Sequence, residues 1–161
     1  MNFNSLTDLA LHLMAAEVAL KTVEHRSLKK AALLIEREAK SEIGHYQAEV
    51  GPFPSWAALA DSTEAQKARM GYPAGAPLLA TDAMRDNITH EISGKEAVIG
   101  SPDEKAVYHE FGTSRMPPRP VFGPAAFKSL EKLHNLIGAE VVAGIIDGKV
   151  ASGGADYLIG R

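Results

Sequence analysis

A chain of 161 residues is long enough for one domain with a single modest core. Its 45% apolar and 23% charged content matches a folded globular protein and argues against global disorder. The absence of cysteine excludes disulfides, thiolate metal sites and a cysteine nucleophile, and the net charge of −3 disfavours DNA binding through a basic excess.

The densest basic run, HRSLKK at residues 25–30, is soon followed by EREAKSE at 36–42, the pattern of a solvated helix face rather than a phosphate track. No apolar run reaches the roughly 18 to 20 residues that span a bilayer. The N-terminal residues predict no secretion signal, and the composition fits synthesis in a reducing cytoplasm.

In chain order, Met1 to Ile43 contains neither glycine nor proline. Leu6, Leu9, Leu13, Ala16 and Leu20 recur at helical spacing, as do Leu28, Ala31, Ile35, Ala39 and Ile43. This predicts one long helix, capped by Asn4 or Ser5 and ended by Gly44. At 1.5 Å per residue it would reach roughly 55 to 60 Å, too long for a domain of this size, so part of it is expected to meet a neighbour.

Residues 44–54 read as a connecting loop. SWAALADSTEAQKARMG, residues 55–71, predicts a short helix, a break at Asp61-Ser62 and a second helix ending at Gly71, with Trp56 plugging the core between the short helix and the long one. After the loop YPAGAP, residues 78–101 predict a helical turn and a hairpin. Ile88, His90 and Ile92 share one side, Val98 lies on the returning strand, and Ser93-Gly94-Lys95 makes the turn.

DEKAVYHEFGT at 103–113 reads as a short helix closed by Gly112. Pro117, Pro118, Pro120 and Pro124 then bar a central strand and predict a rigid elbow. In it Phe111 and Phe122 would anchor to the core, and Glu110 and Arg119 would form a partly buried ion pair. With Arg115 and Arg119 on a stiff loop, little entropy is lost on docking. Gly123-Pro124 opens a last helix, whose buried stripe is expected at Leu130, Leu133, Ile137, Val141 and Ile145. The remaining KVASGGADYLIGR carries one apolar patch, Tyr157-Leu158-Ile159.

The fold class is α+β, with a long N-terminal and a C-terminal helix packed on a small, mostly antiparallel β-sheet. One domain is expected over 1–147, followed by an extended arm over 148–161.

Chemistry finds little support. No G-x-S-x-G elbow, H-E-x-x-H pair, Walker loop or dinucleotide loop is present. Adjacent residues on a helix, such as His109 and Glu110, diverge by about 100° and cannot share one metal ion. Asp82, Asp86 and Glu91 could make a magnesium site, but the first two read as an ordinary helical surface pair. No enzyme activity and no cofactor are expected.

Two blocks in order carry a resemblance. The first is Trp56, Leu59, Thr63 and Lys67, continuing through Pro77, Leu78, Leu79, Thr81, Arg85 and Ile88. The second is Tyr108, Glu110, Phe111, Gly112 and Thr113, then Arg119, Pro120, Phe122, Pro124 and Ala125. Together they resemble a family of tailed-bacteriophage proteins, called virion morphogenesis, minor tail or tail-completion proteins, similar in role to the lambda Z protein. The resemblance spans roughly residues 1 to 146. Asp82 stands where glycine is usual, Met84 for leucine and Asn87 for serine, and Val121 is an insertion.

The resemblance implies a structural protein of the virion, made in the host cytoplasm, at the neck where the DNA-filled head joins the tail. It also implies a homo-oligomeric ring, often of about six or twelve copies. Its partners would be head-completion or connector proteins and tail terminator or tail tube proteins, with DNA passing through the lumen unread and no membrane involved. A tail terminator ring is the alternative, and a DNA-binding or nuclease role in packaging a third. The candidate structural or interface residues are Trp56, Leu79, Arg85, Tyr108, Glu110, Phe111, Gly112, Arg119, Pro120, Phe122 and Pro124, within the two blocks, with Arg115 of the stiff loop and Tyr157 of the C-terminal apolar patch.

Overall fold

A computed structural model describes residues 5–147. Helix α1 runs over Leu6–Glu42, 37 residues without interruption. Ser5 caps it, its Oγ accepting the Asp8 amide at 3.0 Å. The other elements are α2 (Asp61–Met70), α3 (Ala83–Asp86), β1 (Thr89–Ser93), β2 (Glu96–Gly100), α4 (Glu104–Phe111) and α5 (Phe122–Asp147). The strands form one two-stranded antiparallel sheet, with His90 opposite Ile99 and Ser93 opposite Glu96. The architecture is α+β, as the sequence predicts. No helix among the described residues is long and apolar enough to cross a membrane.

Contacts divide the chain into two compact units, one of residues 1–31 with 132–161 and one of residues 32–131. In the first, the buried line on α1 is Ala16, Ala19, Val23 and Ser27, spaced by three and four residues. Against it lies Gly144 of α5, where an added Cβ would stand 3.1 Å from Val23 Cγ2. Lys30 Nζ pairs with the mostly buried Glu140. Small residues therefore draw these helices together. Leu6 and Leu13, at the helical spacing of the sequence, are exposed, as are Leu11, Met14 and Val18. A pair of helices can bury only one face of each, and the small-residue face is the one that packs.

The second unit holds a core of Ala39, Ile43, Trp56, Ile88, Val121 and Ala125, with Ile35, Leu79, Met84, Ile99 and Phe122 packed against it. Trp56 reaches that core, but the short helix expected around it does not form. Residues 54–60 are irregular, and α2 starts at Asp61. Their backbone groups find distant partners instead of helical ones: Trp56 N donates to Gln47 O at 3.0 Å and Leu59 N to Tyr46 Oη at 3.1 Å.

Val98 lies on the returning strand, as expected, and is exposed at 66%, with Ala97 and Ile99 on the inner face of β2. The stripe expected on α5 is corrected. On α5, Leu130 and Ile137 are exposed, and Leu133 and Val141 only half-buried. The side chain of Ile145 lies outside the described residues, as do Gly148 and the whole of 148–161, Tyr157 included. Among the described side chains, the buried positions on α5 are instead Pro124, Ala125, Ser129, Glu140 and Gly144.

Candidate functional site: the proline elbow and its cleft

Asp103 caps α4, its Oδ1 accepting the Lys105 amide at 3.0 Å. The helix ends at Gly112, whose φ of 73° and ψ of 178° belong to a region reserved for glycine. An added Cβ there would meet Met116 O and Pro118 N at 2.9 Å. Thr113 and Met116 then pair as an isolated bridge, and Arg119 N donates to His109 O at 2.6 Å, folding the elbow back on α4.

Glu110 and Arg119 do not form the expected ion pair. The Glu110 carboxylate accepts the amides of Val121 at 2.7 Å, Phe122 at 3.3 Å and Gly123 at 3.5 Å. It thus satisfies first-turn donors of α5, which no intrahelical carbonyl can reach, from a different helix. Arg119, only 4% exposed, donates from Nη2 to Ala57 O at 3.1 Å and Ala58 O at 3.2 Å. The acid secures the helix that follows the elbow, and the arginine secures the irregular segment after Trp56.

Phe111 is not an anchor; it is 78% exposed. Val121 takes the buried place at 5%, while Phe122 packs beside the core as expected. Pro124 is fully buried, Pro120 half-buried, and Tyr108 and Arg115 are exposed. Glu110→Gln should lower stability by about 1–2 kcal/mol, since a neutral acceptor weakens charge-assisted bonds without removing them. Equal denaturation midpoints for the two proteins would refute the capping role.

A second tie lies at Ala76–Leu79. Pro77 followed by Leu78 with φ of 63° has the pattern of a type II turn, in which glycine usually holds the third position. Lys67, 8% exposed, spans this strained turn: its ammonium donates to Ala76 O and, at 2.8 Å, to Leu79 O. Gly44 N donates to Pro77 O at 2.9 Å. Nothing in the spacing of residues 61–71 distinguishes Lys67 from a solvated lysine; only the resemblance marks it. Asp82 has an ordinary φ of −71°. Arg85 holds Asp82 at 2.9 Å, with Asp86 at 3.9 Å.

Between these two ties opens a cleft of about 440 Å³. Leu59, Met70, Leu78, Leu79 and Met116 give it an apolar lining, Lys67, Arg115 and Arg119 supply its positive groups, and His109 lines it as well. The cleft therefore brings together Leu79, Arg115 and Arg119, while Arg85, Tyr108 and Phe111 lie outside its lining.

His109 Nδ1 is buried without a hydrogen-bond partner. Burial, and then the Arg119 charge, push its pKa below the ordinary histidine value. The unfolded chain therefore takes up a proton before the folded one does. Stability should be full above about pH 6.5 and fall as pH drops below that value. A denaturation series on His109→Asn should show a shallower decline between about pH 6.5 and 5 than the parent. Identical slopes would contradict this.

Elsewhere in the unit, His90 bonds Glu36, which also bonds Lys40. Burial alone would raise the Glu36 pKa, but these two partners outweigh it and hold it low. Among the described residues, no three His, Cys, Asp or Glu side chains are grouped to hold a metal ion. Glu91 stands apart on the exposed face of β1.

Comparison with family models, curated proteins and solved structures found no match to this chain.

Proposed function

We propose that the chain is a structural subunit of a tailed-bacteriophage virion, forming the homo-oligomeric ring at the neck that joins the DNA-filled head to the tail. The reading begins from the ordered resemblance of the two sequence blocks. The observation that carries it is where those blocks fall in space: Lys67, Pro77, Leu78, Glu110, Gly112 and Arg119 are the residues that tie the elbow and the Ala76–Leu79 turn. Such ties stiffen a surface without creating a reactive centre, which suits a building block that must present fixed contacts.

The uninterrupted α1 supports the same reading. Leu11, Met14 and Val18 follow one another at helical spacing and are each more than 60% exposed, an apolar face available to another subunit. A head-to-tail ring repeats one heterologous contact until it closes. A net charge of −3 suits a lumen through which DNA slides without being gripped. The ring would contact connector proteins on one side and tail terminator or tail tube proteins on the other.

Electron microscopy of lysates from the phage carrying this gene, with an early stop codon placed in it, tests the proposal. Filled heads beside unattached tails of normal length are the expected result. Overlong tails would make the protein the terminator instead. Normal infectious particles would overturn the virion reading altogether.

A further inference from the structure

We infer that the cleft between the elbow and the Ala76–Leu79 turn is a docking site for an acidic–apolar peptide, and that its occupant is the segment Asp156–Ile159 of a neighbouring copy.

The charge of the cleft carries the inference. Lys67 and Arg119 are both more than nine-tenths buried, and both are held by carbonyl oxygens rather than by a carboxylate. Carbonyl dipoles accept from both groups, though Arg119 Nε has no hydrogen-bond partner, and they leave two formal positive charges without a carboxylate partner among the described residues. Arg115 adds a third at the exposed edge, and no Asp or Glu is among the described residues that line the cleft. Such a field, in a chain whose net charge is −3, draws a carboxylate toward this one place.

Size and lining set the rest of the chemistry. About 440 Å³ lies within the range of roughly 300 to 1,000 Å³ typical of ligand sites. Exposed Met70 and the half-buried Met116 offer unbranched, adaptable side chains to an apolar partner. A fitting ligand thus carries one acid followed by two or three bulky apolar residues. In this chain that order occurs at Asp156-Tyr157-Leu158-Ile159. Asp156 would face Arg115, and the apolar triplet would cover Leu59, Met70 and Met116.

That the segment comes from the next copy rests on the ring reading above, in which a cleft on one subunit and a tail from another repeat around the circle.

Because the chain has no cysteine, disulfide trapping is specific. Full-length Met70→Cys and full-length Leu158→Cys proteins are mixed and oxidised with copper phenanthroline, and the mixed disulfide is identified by mass. Val98→Cys, exposed on the hairpin, replaces Met70→Cys in the control. The expected result is about tenfold more mixed disulfide from Met70 than from Val98. Adding Arg115→Glu to the first protein should reverse most of that excess, and Asp156→Arg in the second should restore it. A simple folding defect would not be rescued by the second charge reversal.

Equal trapping at Met70 and Val98 overturns the inference. So does trapping confined to a single chain carrying both cysteines, or an excess insensitive to both charge reversals. None of these results bears on the phage lysates, so the two readings fail separately.

Discussion

Gly112→Ala should destabilise the unit of residues 32–131 by about 3–5 kcal/mol. Two costs combine. At φ 73° and ψ 178° a side chain is strained whatever surrounds it. The added methyl would also stand 2.9 Å from Met116 O and Pro118 N and 3.0 Å from Pro118 Cδ. These are backbone and ring atoms that cannot rotate away, unlike the far end of a flexible side chain. Relief requires opening the Thr113–Met116 bridge and moving the elbow off α4. Gly75→Ala provides the contrast: its φ is also positive, at 63°, but nothing lies within 4 Å of the added Cβ. Its cost should be about 1 kcal/mol, from backbone strain alone. Trp56, the single tryptophan and part of this unit's core, reports both unfolding transitions by fluorescence. If both substitutions cost the same, the close approach at Gly112 is wrong.

Arg119→Ala should cost about 3–4 kcal/mol, through two losses that different replacements separate. The guanidinium leaves the carbonyls of Ala57 and Ala58 without donors, and the removed stem leaves space inside a packed elbow. Arg119→Met refills most of that space and restores no donor, so it should recover about 1 kcal/mol and no more. Arg119→Lys keeps the charge but replaces a planar fork with a point donor, and should fall between the parent and Met. The same denaturation series decides the matter. If Arg119→Met proves as stable as the parent, the carbonyl contacts contribute nothing and the arginine acts only as filler. Because Arg119 also lines the cleft, its variants should be compared for stability before any comparison of assembly.

Local pattern was sufficient for α1, where 43 residues without glycine or proline leave little alternative to a helix. It was also sufficient for the hairpin, whose alternation and Gly94 turn lie within a dozen residues. The same reasoning misplaced a helix at Ser55–Ala60. The local preference of Ala57, Ala58 and Ala60 for helix was overridden by Gln47, Tyr46 and Arg119, which supply hydrogen bonds from outside the segment.

The stripe expected on α5 failed for a related reason. Periodicity identifies apolar positions, but which face packs depends on how closely another helix can approach. Ala16, Ala19 and Gly144 permit that approach where Leu13 and Ile137 do not take part.

In the elbow, proline spacing and Gly112 announced a chain reversal, and the structure has one there. The partners of its charged residues were not legible. Glu110 and Arg119 are nine positions apart with opposite charges, which invites pairing. Yet the acid meets three amides at the start of α5, and the arginine meets two carbonyls more than sixty residues away in sequence. Buried Lys67 shows the same division. A lysine on a short polar helix is ordinarily solvated, and only the strained turn at Leu78 supplies it with two carbonyls in one place.

The sequence by itself thus determined the α+β class, the long first helix, the hairpin and the position of the elbow, because each depends on dihedral preference and short-range periodicity. Only the tertiary structure decided which faces are buried, which partners the buried charges take and that a positively charged cleft forms beside the elbow. Those features depend on backbone groups brought together from distant parts of the chain, and a polar backbone group looks the same at every position of a sequence.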